Sequence, residues 1–187
     1  MAVIRLPRDP NHEFVKFYTF ATVEKRTEDY DDYIEEMVKK GVPDYEAVMK
    51  ATADIKPYET VVGDYNAMVD NGIDLCLALL VGGGGTSFVT GNARLGVGAS
   101  TTAWNTTQAD LITTSTRKAM KSGSYPQTSS KKITFCSDFL TGEANIAWNE
   151  WGIFNSASGV TMLSRKVESL GTKSSGTWTL TVDFSVS

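Results

Sequence analysis

The last residues of the chain alternate strictly between apolar and polar side chains. In TWTLTVDFSVS, residues 177–187, every second residue is apolar, which predicts a β-strand with one buried face. The apolar positions are Trp178, Leu180, Val182, Phe184 and Val186. A similar alternation in KKITFCSDF, residues 131–139, places Ile133, Phe135 and Phe139 on one face of a second strand.

Further short strands are predicted in RLGVG, NIAWNEWGIF and TMLSRKVE, and turn signals such as TGE, NSASG and GTKSSG separate them. Each strand presents an apolar face that has to be covered. A single sheet cannot cover its own face, so the pattern predicts two sheets packed as a β-sandwich.

Earlier in the chain the apolar spacing changes to that of helices. Tyr30, Tyr33, Ile34, Met37 and Val38 follow one face of a predicted helix that Thr27 caps and Gly41 ends. A second helix is predicted from about residues 43–55, and a third from about residues 66–80. The preceding segment, EFVKFYTFATVEK, has strand-forming residues and is compatible with either a strand or an extended arm.

Composition divides the chain near residue 80. Residues 1–80 contain 16 acidic and 9 basic residues, whereas residues 81–187 contain 6 acidic and 9 basic residues together with 33 Ser or Thr. A high Ser, Thr and Gly content favours strands and turns. The sequence therefore predicts an α+β fold: an acidic, mainly helical region with an N-terminal arm at 1–80, and an antiparallel β-sandwich domain at 81–187.

Charge and apolar content exclude several partners. A net charge of -4 without a Lys or Arg cluster argues against nucleic acid. The most apolar run, residues 73–81, is too short to span a bilayer, and the first residues lack a secretory signal, so we expect no membrane partner.

Cys76 and Cys136 are too isolated for a zinc site or disulfide framework, and we expect both in the core.

The remaining candidate motifs are weak. GGGGTS at 82–87 lacks the Lys of a phosphate loop and is interpreted as a flexible joint. His12, the one histidine, lies in a polar N-terminal stretch. Glu143 and Glu150 are seven residues apart and should face opposite sides of a strand, which disfavours a glycosidase pair. We therefore predict no catalytic, cofactor-binding or metal-binding residues.

The stretch EANIAWNEWGIF, residues 143–154, is apolar on both predicted faces. Strict alternation puts Ile146, Trp148, Glu150 and Phe154 on one side of the strand, and Trp151 with its alternate neighbours on the other. A strand with two apolar faces is covered on both sides, either by the rest of its own chain or by a partner protein.

The second half of the chain resembles a domain of tailed-bacteriophage structural proteins, including tail-fibre and collar-type proteins and virion proteins of unassigned position. The resemblance covers about residues 75–187. It rests on ARLGVGASTTAW, TQADL, the segment from KKITFCSDF to TMLSRKV, and the final alternating strand. The order and spacing of these elements, rather than any one of them, carry the similarity.

The resemblance implies a non-enzymatic virion protein that assembles in the host cytoplasm. We expect a capsid decoration or minor capsid protein that contacts other phage structural proteins and copies of itself, forming a homo-oligomer. The alternative is a tail or collar appendage that binds a host surface or carbohydrate. The candidate interface or core anchors are Trp104, Trp148, Trp151, Phe154 and Arg165, and Glu150 is expected to bond backbone groups or Arg165.

Overall fold

A computed structural model describes residues 17–63, 67–113, 116–121, 125–158 and 161–186. These residues form three helices and nine strands. The helices are α1 (Asp29–Lys39), α2 (Asp44–Asp54) and α3 (Asp70–Leu80). The strands are β1 (Phe17–Lys25), β2 (Glu59–Val62), β3 (Arg94–Gly98), β4 (Thr116–Ala119), β5 (Gln127–Ser129), β6 (Lys132–Phe139), β7 (Ala147–Phe154), β8 (Met162–Thr172) and β9 (Trp178–Val186).

The strands form two antiparallel sheets. The five-stranded sheet has the order β2-β1-β9-β6-β5, and the four-stranded sheet has the order β4-β3-β7-β8. Strands β3 and β4 lie near β6, so the β4 end of the smaller sheet overlies the β6 side of the larger one. The predicted α+β fold with a β-sandwich is confirmed.

The main core lies between the sheets and follows the predicted alternation. All five apolar positions of β9 contribute to it, and so do the three predicted positions of β6. Leu95 and Val97 of β3 contribute from the opposite sheet and are fully buried. Three aromatic rings of this core form two edge-to-face pairs. The ring centroid of Trp148 lies 4.8 Å from that of Phe139 and 5.0 Å from that of Trp178.

The N-terminal region contributes strands to this sandwich. Residues Phe17–Lys25 of β1 pair along their whole length with β9, and β2 pairs with the second half of β1. The segment that was compatible with an arm is therefore a strand from Phe17 onward. The predicted boundary at residue 80 does not separate two sheets, because residues on both sides of it share the five-stranded sheet.

Helices α1 and α2 form a hairpin between β1 and β2. The predicted cap by Thr27 is wrong: Glu28 occupies the cap position, and no side chain bonds the free N–H groups there. Of the predicted apolar face of α1, Tyr30 is fully buried, whereas Val38 is 42% exposed. The Tyr30 hydroxyl bonds Thr52 of α2 at 3.0 Å, and the amine of Lys121 contacts both oxygens, which joins the hairpin to the sandwich.

The predicted faces of Glu150 and Phe154 on one side and of Trp151 and Ile153 on the other are confirmed. The predicted placement of Trp148 with Glu150 is wrong, because the register between β7 and β8 shifts between these two residues. Trp148 pairs with Gly171 and Glu150 with Val167, so β8 has two extra residues over this interval. Gly171 has a φ of +107°. As a result Trp148 and Trp151 both lie in the main core, while Glu150 and Phe154 lie on the opposite face of the sheet.

The described helices fall short of the length and apolar content that a membrane-spanning helix requires. Both cysteines are free thiols, with Cys136 buried in β6 and Cys76 half-buried in α3. Burial raises the pKa of the Cys136 thiol to about 12. His12 lies outside the described residues.

Candidate interaction surface

The structure places four of the five predicted anchors in the interior. Trp148 and Trp151 have no exposed surface, and their indole N–H groups are satisfied within the chain. Trp148 donates to the Ala144 carbonyl at 2.9 Å, and Trp151 donates to a Glu168 carboxylate oxygen at 2.6 Å. These contacts fix both rings as internal packing groups.

Glu150 and Arg165 form an ion pair on the outer face of the four-stranded sheet, where both side chains are fully buried. The Arg165 Nε donates to Glu150 Oε2 at 2.8 Å. The remaining guanidinium nitrogens donate to the Gln108 side chain and the Thr102 carbonyl, each at 3.0 Å. Arg165 therefore fastens the loop between β3 and β4 across the sheet.

The Glu150 carboxylate is held by the same loop from the other side. Its oxygens accept backbone N–H bonds from Ser100, Ile112 and Thr113, and the Thr113 hydroxyl adds a bond at 2.9 Å. Burial by itself would raise the pKa of Glu150. The bonds from Thr113, Ile112 and Arg165 outweigh that effect and hold the pKa below its ordinary value. The expected bonding of Glu150 to backbone and to Arg165 is confirmed.

This loop encloses a small second core on the outer face. Its buried members are Val69, Leu111, Phe154 and Met162, and Trp104 packs against them while remaining partly exposed. Two glycines of β3 leave the space that these groups need. A Cβ on Gly96 would lie 2.7 Å from the Phe154 ring, and one on Gly98 would lie 2.5 Å from Glu150 Oε1. The GxG of LGVG thus serves packing.

Helix α3 is attached to β8 at its N-terminal end. The Val69 N–H donates to the Leu163 carbonyl at 3.1 Å, and the Asp70 N–H donates to the Thr106 carbonyl at 2.9 Å. Gly72 lies directly against the β8 backbone, and Leu75 is buried on the same side of the helix. The contacts hold the first half of α3 against the sandwich.

The opposite side of α3 faces solvent and carries four exposed apolar residues next to the exposed Asp70 and Asp74. Ile73, Leu77, Leu80 and Val81 are 41%, 57%, 81% and 82% exposed, and their spacing puts them on one helical face. We call these four residues the α3 apolar surface. Its exposure increases toward the C-terminal end, beyond the attachment at Gly72. Four neighbouring exposed apolar side chains at one end of a helix form a patch that is suited to a protein partner.

We expect Gly72→Ala to loosen α3 and to lower the free energy of unfolding by about 1 to 3 kcal/mol. The added Cβ would lie 2.4 Å from the Leu163 carbonyl oxygen and 2.7 Å from its Cα. Because both are backbone atoms, either the helix or the strand has to move. Urea unfolding followed by circular dichroism measures the loss.

Gly91→Ala is the matched control, because a Cβ at Gly91 would meet no atom within 4 Å. Its free energy of unfolding should change by no more than about 0.5 kcal/mol. Equal stability of the two variants would contradict the close packing of α3 on β8.

Sequence reasoning missed the α3 apolar surface. The run of residues 73–81 is too short for a membrane span, but its length does not indicate whether a partner covers it. A signal was present: placed on a helix, the run has apolar residues on two sides, with Leu75 on one side and Leu77 and Leu80 on the other, and only Asp74 interrupts it. The helix also lacks a basic residue in its last turn.

Among the residues that the structure describes, no group of three or more His, Cys, Asp or Glu side chains could hold a metal ion. Glu143 pairs with Lys118 at 2.6 Å, whereas Glu150 pairs with Arg165 at 2.8 Å, so the two carboxylates belong to separate ion pairs. No known protein family, curated protein or solved structure matches the chain.

Proposed function

We propose that the chain is a non-enzymatic structural component of a tailed phage particle, a capsid decoration or minor capsid protein that stabilises the shell through protein–protein contacts. The observation that supports it best is the α3 apolar surface, where the most exposed residue, Val81, is 82% accessible. An apolar surface held on a rigid sandwich is a feature of proteins that are covered by partners in an assembly.

The chemistry of the buried polar groups agrees with a structural role. Both oxygens of the Glu150 carboxylate are engaged by fixed donors, which leaves the group no free lone pair directed at a substrate. The Cys136 thiol is buried and its pKa is raised to about 12, so it is a poor nucleophile near neutral pH. These groups stabilise the fold.

The second candidate is a tail or collar appendage that binds a host surface or carbohydrate. A sugar stacks on an exposed aromatic ring, and Trp148 and Trp151 are fully buried. Trp104, which is partly exposed beside the second core, is the remaining candidate of the three predicted tryptophans. The α3 apolar surface, which supports the capsid proposal, has four exposed residues, whereas the appendage proposal has one partly exposed ring in its favour.

The test is to locate the chain in purified particles of the phage that encodes it. Antibody raised against the chain is detected with gold in electron micrographs, and peptides of the chain are quantified in denatured particles. We expect label over the head and many copies per particle. Label confined to the tail or neck would favour the appendage, and absence of the peptides from denatured particles would contradict a virion role.

A further inference from the structure

A second apolar surface lies where the inter-sheet core opens at the turn between β5 and β6. Ile133, Phe184 and Val186 line a pocket there with a volume of about 310 Å³, and residues 128–132 complete its lining. Phe184 belongs to the main core, and the other two residues pack against it. A side chain entering this pocket would therefore extend the core of the sandwich.

The rim of the pocket carries an uncompensated positive charge. Lys132 pairs with Asp183 at 2.9 Å, and its charge is balanced within the chain. Lys131, beside it in the turn, is exposed and has no carboxylate partner within the described residues. The pocket thus combines an apolar floor with the Lys131 amine at its edge, which no carboxylate of the described residues pairs with.

The free end of α3 has the complementary properties. Leu80 and Val81 project with 81% and 82% of their surface exposed. The Gly83 N–H bonds back to the Ala78 carbonyl at 2.8 Å, so the chain turns away and leaves a compact end. A helix C-terminus carries partial negative charge, and no basic residue in the last turn of α3 offsets it.

The two surfaces lie on opposite sides of the sandwich. Helix α3 packs on β8, the strand at one edge of the four-stranded sheet. The pocket is formed by β5, β6 and β9, and β6 lies near β3 and β4, at the other edge of that sheet. One molecule therefore presents the two surfaces in different directions, and the residues that the structure describes cover neither of them.

Pairing of α3 with α3 of a second copy is disfavoured by charge. Asp70 and Asp74 are exposed on the same side of the helix as Leu77 and Val81. A parallel pair would bring the carboxylates of both copies together, and an antiparallel pair would place them against apolar residues. Either arrangement would bury unpaired negative charge.

We propose that the free end of α3, with Leu77, Leu80 and Val81, inserts into the β5–β6 pocket of a second copy of this chain. Lys131 of the receiving copy would lie near the helix C-terminus. The contact joins two different surfaces, so repetition builds a closed ring or an extended row of copies. The inference rests on the proposed function, because it takes α3 as a protein-binding element.

The experiment measures self-association of the full chain by sedimentation up to about 1 mM. Leu80→Asp removes the inserted side chain, and Thr128→Tyr fills the pocket from exposed strand β5. Each should weaken association at least about tenfold. Met49→Asp is the matched control, since Met49 is an apolar residue of α2 with 68% exposure, and it should associate like the unaltered chain.

Mixing the two defective variants tests the geometry. Leu80→Asp keeps an intact pocket and Thr128→Tyr keeps an intact helix end, so one contact can still form between them. We expect the mixture to form dimers and no larger species. Circular dichroism confirms that each variant is folded, and Lys131→Glu, at an exposed position, provides a second pocket variant.

The proposal is overturned if the unaltered chain stays monomeric, if either Leu80→Asp or both pocket variants associate normally, or if the mixture fails to form dimers. Loss of association in Leu80→Asp but in neither pocket variant would indicate pairing of two α3 ends instead. The proposed function is tested separately, by the presence and position of the chain in purified particles, so its failure is distinguishable from failure of this contact.

Discussion

Replacing Trp148 with alanine should lower the free energy of unfolding by about 3 to 5 kcal/mol. The ring is fully buried between the sheets, packs against Phe139 and Trp178, and donates a hydrogen bond to the Ala144 carbonyl. Its removal leaves a cavity and takes away one of the two hydrogen bonds that the Ala144 carbonyl accepts, the other coming from the Ile146 N–H. A loss of this size approaches the total stability of a marginal domain. Urea unfolding measures it.

Trp104→Ala is the comparison within the same protein. This ring packs against the small outer core and is partly exposed, so its removal should cost less than half as much. The structural account of Trp148 would be wrong if Trp148→Ala kept full stability but lost the ability to assemble, because that result would place the ring in an interface.

The second large effect is expected at the buried ion pair. Arg165→Met removes the guanidinium that contacts Glu150 and holds the β3–β4 loop, and should lower the free energy of unfolding by about 3 to 5 kcal/mol. The loss arises because a buried carboxylate remains without its counter-ion. The double variant Glu150→Gln/Arg165→Met removes that charge and should be more stable than Arg165→Met.

A double-mutant cycle over Glu150→Gln, Arg165→Met and the double variant measures the coupling directly. Additive effects of the two substitutions would contradict the ion pair as the element that fixes the loop.

The ion pair also predicts a pH dependence. The pKa of Glu150 is lower in the folded chain than its ordinary value of about 4.3. As the pH falls, Glu150 therefore takes up a proton more readily in the unfolded chain than in the folded chain. Glu150 therefore contributes its full stabilisation above that ordinary value and loses it as pH falls through the lowered pKa. The free energy of unfolding of Glu150→Gln should differ most from that of the unaltered chain near neutral pH. The difference between the two free energies should become smaller in acid.

Local sequence patterns were sufficient for the elements whose pairing is regular. Strand β9 alternates without interruption and lies between two long neighbours, so its five apolar positions all reach the core as predicted. The face predicted for Trp148 in β7 was wrong because of a register shift, which accompanies extra residues in β8 and a positive φ at Gly171. Neither feature is visible in the sequence of β7 itself.

The relation between the two halves was harder to predict for a physical reason. Composition separates residues 1–80 from residues 81–187, but strand pairing depends on long-range contacts, and β1 pairs with β9 across more than a hundred and fifty positions. Glu150 was expected to bond backbone or Arg165, whereas the loop that supplies those backbone groups could not be identified. The α3 apolar surface required knowledge of which side of the helix the sandwich covers.

Under the proposed function, the α3 apolar surface is a contact surface in a phage particle. The most direct test is to count copies of the chain in purified particles made with the Leu80→Asp protein or with the Met49→Asp protein, both at positions exposed in the folded chain. The account predicts that Leu80→Asp is largely lost from particles while Met49→Asp is retained at the normal copy number. Equal retention of the two proteins would contradict it.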